Sequence, residues 1–208
     1  EFGKAVKVRF LESFNGREVF GLNLYLSPFD VWVGSVAESS LRPSGSSKPP
    51  AALRMQDSSC AVPHILNQAG TVADFQSTQY TGVNNDSGPD TPARTREGHI
   101  EVIEMGTILP IKYDPAGLAS IPNGTFFAIE HAHSGAPAGC GHIDRAWKSG
   151  VLQLPVPIPA GLTLPIPLAI NQPIFYSSEF REFTIDSRDF APPSGGLYGT
   201  GAIIDTEA

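Results

Sequence analysis

Long apolar runs, basic clusters and closely spaced cysteine pairs are all missing from this chain. The longest apolar stretch, "VLQLPVPIPAGLTLPIPLAI", is broken by five prolines. Each would leave a membrane-spanning helix short of a backbone hydrogen bond that lipid cannot replace, so no transmembrane segment is expected. Basic residues number 14 against 21 acidic ones, a net charge of −7, and nowhere do they form a run. A phosphate backbone would be repelled, which excludes nucleic acid as a partner. The opening "EFGKAVKVRF" has no initiator methionine, basic n-region or apolar h-region. The expectation is that any export signal has been removed or was never part of the sequence.

Enzyme signatures are scarce as well. There is no GxSxG, Walker loop or H-E-x-x-H, and "GGLYGTG" precedes a strand-like segment, where its glycines suit turns or close packing. The acidic loop "NNDSGPD" departs from the EF-hand pattern and reads as a polar turn. Glu101 and Glu104 in "HIEVIEMG" lie an odd number apart on a strand, face opposite sides and form no acid/base dyad.

What is present points to a β protein. The 208 residues include 21 glycines and 19 prolines but are 41% hydrophobic, too apolar for disorder and rich in turns. "KAVKVRFLE" alternates Val6, Val8 and Phe10 against Lys7 and Arg9, the period of a strand with one buried face. After the Asn15-Gly16 turn signal, "VFGLNLYLS" places Phe20, Leu22, Leu24 and Leu26 on one face, completing a hairpin. Further strands are predicted in "PFDVWVGSVAE", "AALRMQD", "GHIEVIEMGTILPIKY", "GTFFAIEHAH", "FREFTIDSRDF" and "GGLYGTGAIID", with "SSLRPSGSSKPP" as a surface loop and 67–98 as a long polar excursion. Helical spacing occurs in "GHIDRAWKSG", through Ile143, Ala146 and Trp147. Prolines 155, 157 and 159, echoed by 165 and 167, would blunt one edge of a protruding hairpin, or else mark a polyproline-like loop. The fold class expected is all-β: an antiparallel β-sandwich, Ig-like or jelly-roll-like, with one short helix and long loops, as a single domain over 1–208.

Two constellations carry chemistry. Cys60 and Cys140 sit in turn-rich stretches and fit one disulfide, which would place the protein in an oxidising compartment: extracellular or at the cell surface, with the periplasm as alternative. Sequons at Asn85 and Asn123 are compatible with secretion. The stretch "EHAHSGAPAGCGH" gathers His131, His133 and His142, a zinc-ligand set to which Cys140 or His64 could add. Histidine-rich loops are more often hydrogen-bonded than ligated, so no cofactor is expected and zinc is the alternative.

At "KAVKVRFLESFNGREV", "LNLYLSPFDVW", "SSCAVPH", "RTREGHIEVIEMG" and "CGHIDRAW" the chain resembles a group of uncharacterised exported β-rich proteins of proteobacteria. The resemblance spans most of the chain. It implies export, and in sequences of this look the histidines of "EHAHSG" form no motif. The function expected is a non-catalytic extracellular or cell-surface structural or binding protein. It would associate with itself or with another surface protein through exposed strand edges, including those of the terminal strands "KAVKVRFLE" and "GAIIDTEA". The alternative is a zinc-binding hydrolase-like enzyme using the histidine cluster.

Overall fold

The structure, a computed structural model, describes residues 1–40, 48–55, 57–62, 71–114, 116, 121–131, 135–137, 139–141, 143, 151–155, 180–184 and 189–201. These residues are mostly β, with antiparallel sheets and one short helix.

The first sheet begins with the hairpin of β1 (Gly3–Glu12) and β2 (Glu18–Leu26). Gly16 takes the left-handed turn position at φ 67°, which costs a glycine nothing. In the second sheet, β3 (Gly34–Glu38), β4 (Ala51–Met55) and β6 (Val72–Asp74) run in the order β3-β4-β6. β5 (Cys60–Val62) and β7 (Gly98–Ile108) complete the first sheet, in the order β5-β2-β1-β7. β1 is therefore flanked on both sides and offers no free edge, which corrects the expectation that the N-terminal strand would recruit a partner. At the other end, residues 192–201 carry no strand, and 202–208 lie outside the described residues.

Period-2 alternation explains the main core. Val6, Val8, Phe10, Leu22 and Leu24 of the first sheet meet Ala51, Leu53 and Met55 of the second, with Phe75 and Tyr80 closing the end. A bulge at Val19 shifts the β1–β2 register between Phe10 and Leu11, so that Val19 and Phe20 both reach this core. The opposite face of the first sheet is not uniformly wet. Ala5, Tyr25, Cys60 and Ile108 pack there against Phe126, Ala128 and Ile129.

Those last three residues belong to α1 (Gly124–Ile129), where the sequence reading expected a strand. Four successive apolar residues, Phe126 to Ile129, carry no period that separates helix from strand. The cap decides: Asn123 Oδ1 accepts from the Thr125 backbone N–H at 3.1 Å, while its amide donates to the Asp189 carbonyl at 2.8 Å. Asn123 is fully buried by these bonds, so its sequon is closed to glycosylation in the folded chain.

Other elements depart from expectation in extent. Of "PFDVWVGSVAE", only Gly34–Glu38 forms a strand, and the long excursion contains β6 and two 3-10 turns, Gly82–Asn84 and Pro92–Arg96. β8 (Val151–Pro155) pairs with β9 (Phe180–Thr184), and the second proline-rich arm, with the hairpin expected of it, is not among the described residues. Most of the helix expected at 141–150 lies outside them too.

Candidate functional sites

Of the predicted histidine set, His131 is described; His64, His133 and His142 lie outside the described residues. His131 follows α1 and forms an isolated bridge with Pro137. Its Nδ1 is 2.8 Å from the Ser27 hydroxyl, and its Nε2 is 3.8 Å from Asp30 Oδ1. The Ser59 hydroxyl lies 3.1 Å from Asp30 Oδ1 and 2.5 Å from Asp57 Oδ1, and the Ser59 N–H also donates to Asp57 at 2.6 Å. Asp30 Oδ2 is buried with no hydrogen-bond partner among the described residues. Burial pushes the Asp30 pKa up; the His131 charge and the Ser59 hydrogen bond oppose this without cancelling it.

The backbone around Asp30 is turned outward on either side. Phe29, at φ 62°, occupies the left-handed region that residues other than glycine rarely adopt, and it is 89% exposed. Val31 and Val33 are exposed as well, while Trp32 packs on the main core. The loop thus drives Asp30 and Trp32 inward and holds three apolar side chains in solvent.

Serine, imidazole and carboxylate stand in a row, with the hydroxyl in hydrogen-bond reach of Nδ1 and the carboxylate beyond that reach from Nε2. The Ser27 hydroxyl belongs to a buried residue, while the His131 side chain is 27% exposed. Among the described residues no group of three His, Cys, Asp or Glu side chains is placed to hold a metal ion. Cys140 is joined to Cys60, Cα to Cα 4.9 Å, so its sulfur offers no thiolate to a metal. The cysteines meet because Gly139 passes close against α1: a Cβ there would lie 2.6 Å from the Ala128 Cα.

A second polar constellation escaped the sequence reading. Glu12, fully buried at the end of β1, accepts from the backbone N–H groups of Phe14, Asn15 and Arg17 at 2.6, 3.0 and 2.8 Å. Arg94 adds two donors, Nε at 2.8 Å and Nη2 at 3.0 Å. The same guanidinium contacts Asp86 through Nη1 at 2.8 Å and Nη2 at 2.5 Å, and its Cζ lies 4.3 Å from the Tyr80 ring centroid and 4.8 Å from that of Phe14. Burial pushes Glu12 up, but the Arg94 and backbone hydrogen bonds outweigh it and hold its pKa at about 2. Asp86 is lowered too, first by Arg94 and then by Asn15, so one of the two carboxylates of the "NNDSGPD" loop is committed to an ion pair. With every donor engaged, this network ties the hairpin turn to the 3-10 turn ahead of β7.

β7 itself is the third site. It pairs with β1 along its whole length, and at its far end Thr107 exchanges both backbone hydrogen bonds with Ala191, at 2.9 and 2.8 Å. Ile100 stands opposite Phe10 and Val102 opposite Val8, on the face of the main core, yet they are 57% and 59% exposed. The charges on this strand are satisfied within the chain. Arg9 bridges Glu18 and Glu101 at 2.7 and 2.9 Å, and Lys4 contacts Glu104 at 2.7 Å. Glu104 also accepts from the N–H groups of Ser194 and Gly195, and these bonds overcome burial to lower its pKa. Glu101 and Glu104 thus serve separate partners.

Compared with protein-family models, curated proteins and solved structures, the chain matches none.

Proposed function

We propose that this is a non-catalytic, exported protein, a single β-sandwich domain over 1–208, that serves a structural or binding role outside the cell or at its surface by accepting a β-strand along β7. One observation carries the reading. Over residues 98–104 the backbone of the strand bonds to β1 alone among the described residues, while two apolar side chains of the core-facing surface, Ile100 and Val102, stand in solvent. Isolated edges of this kind are ordinarily blunted by lysine, proline or inward-turned charge. Here Glu101 and Glu104 are neutralised by Arg9 and Lys4, so neither repels an incoming strand. An added strand would gain affinity from backbone hydrogen bonds and specificity from alternate side chains. The disulfide supports an oxidising compartment, and no helix among the described residues is long and apolar enough to cross a membrane.

Binding of a fluorescent synthetic peptide with the sequence of residues 98–106 tests the reading. The protein is expected to bind it at concentrations on the order of tens of micromolar, with Val102→Pro weakening binding at least about tenfold by removing an outward donor. Peptide that stays free throughout this range would sink the proposal.

A further inference from the structure

We propose that the strand β7 accepts is β7 of a second copy of this chain, antiparallel about a two-fold axis through Ile100. The inference rests on the strand-accepting role proposed above and adds to it the occupant and the register.

Backbone direction narrows the choice first. The Glu97 carbonyl accepts from the Ser13 N–H at 2.9 Å and so points towards β1. Backbone groups alternate in direction along an antiparallel strand, which turns those of 98, 100, 102 and 104 outward. The register shift that makes Met105 a bulge resets the phase, in agreement with the outward bonds between Thr107 and Ala191. Among the described residues the free edge therefore spans 98–104. An axis of symmetry can pass through a bonded or a non-bonded pair, and like charges remove the non-bonded choices: an axis at Glu101 sets that carboxylate against its own copy, and one at His99 sets Glu101 against Glu97. Near the middle of the free edge only Ile100 and Val102 qualify.

Side chains then separate the two. An axis at Val102 would set Ile100 against Glu104, whose carboxylate is already held by Lys4 and the backbone N–H groups of Ser194 and Gly195. It would also set Glu101 against Ile103. An axis at Ile100 sets Ile100 against itself, Val102 against Gly98, and His99 against Glu101 twice over, with Glu97 opposite Ile103. Within one chain, His99 Nε2 lies 3.9 Å from Glu101 Oε1, so ring and carboxylate already share a face. Across the axis the pair falls at a position without mutual backbone bonds, where facing side chains approach most closely. A ring N–H facing a carboxylate at both symmetric positions thus favours Ile100. The pairing would form about six backbone hydrogen bonds and bring together the exposed rims of two cores, since Ile100 and Val102 share the face of Phe10 and Val8.

Site-directed cross-linking tests occupant and register together. His99→Cys and Glu101→Cys proteins, purified separately with the native disulfide intact, are mixed and mildly oxidised. A 99-to-101 intermolecular bridge is expected, enriched at least about fivefold over any product of either protein alone. In the wild-type background, His99→Glu should weaken the dimer about tenfold in sedimentation, because it places like charges opposite each other at two symmetric positions. Bridging between Glu101→Cys and Ile103→Cys proteins in place of 99-to-101 would overturn the register. A monomer that nevertheless binds the 98–106 peptide would overturn the second copy as occupant while leaving the strand-accepting edge standing. A monomer that binds no peptide would overturn both.

Discussion

Glu12 and Asp30 are both buried carboxylates, and they sit at opposite ends of what burial does to a charge. Glu12 has three backbone donors and two from Arg94, so its ionised form is favoured in the fold. With the folded pKa at about 2, its contribution is complete above the ordinary carboxylate range and is lost as pH falls through that range towards 2. Glu12→Gln should cost about 3 kcal/mol at neutral pH, since removing one member of a buried pair strands the other, and much less near pH 2. Urea midpoints at the two pH values check this. Asp30 runs the other way. Its folded pKa is raised, so its favourable contribution is full below the ordinary value and is lost as pH rises through the folded one. Asp30→Asn should accordingly gain stability relative to wild type on going from pH 3 to pH 7; a constant difference would show that Asp30 is not held against its ionisation. Neither role could be read along the chain. Glu12 continues the face of Val6, Val8 and Phe10, but nothing near it in the chain shows what would neutralise it there, because its partner Arg94 is 82 residues away. His131 finds Ser27 across 104 residues. Asp30, a lone charge amid the aromatic and aliphatic residues of "SPFDVW", was the one visible signal.

Among the elements, alternation made β1, β2 and β7 readable, because a half-buried strand must place apolar residues every second position. It could not reveal that β7 lies at an edge. Ile100 and Val102 alternate just as Val8 and Phe10 do, and only the absence of a neighbour among the described residues leaves them 57% and 59% exposed. The α1 segment defeated periodicity for the opposite reason, being apolar on every side, and a local cap at Asn123 settled its conformation. The contact between α1 and the cysteine loop yields a test at this scale. Gly139→Ala would place a methyl group 2.6 Å from both the Cα and the Cβ of Ala128, in the cluster that also buries Cys60 and Cys140. A loss of about 1–3 kcal/mol is expected from such overpacking, with the cysteines still joined. An unchanged thermal midpoint would mean the helix can retreat without cost.

At the level of the whole molecule, the bond between Cys60 and Cys140 encloses 80 residues of sequence separation. In the chain-entropy picture this removes roughly 4 kcal/mol of freedom from the unfolded state, so reduction should lower the urea midpoint markedly. Within that span lie β6, the Arg94 turn, β7 and α1. The first sheet therefore draws both its outer strands, β5 and β7, from the disulfide-closed ring and its hairpin from outside it. A protease that cuts once within the ring, at the exposed Arg96 for example, opens a loop but releases nothing. Both pieces should travel as one species on a non-reducing gel and part only when the sulfurs are reduced. Wherever a protease reaches the chain, the ring turns scission from loss of a strand into an internal nick, and the hairpin keeps its neighbour.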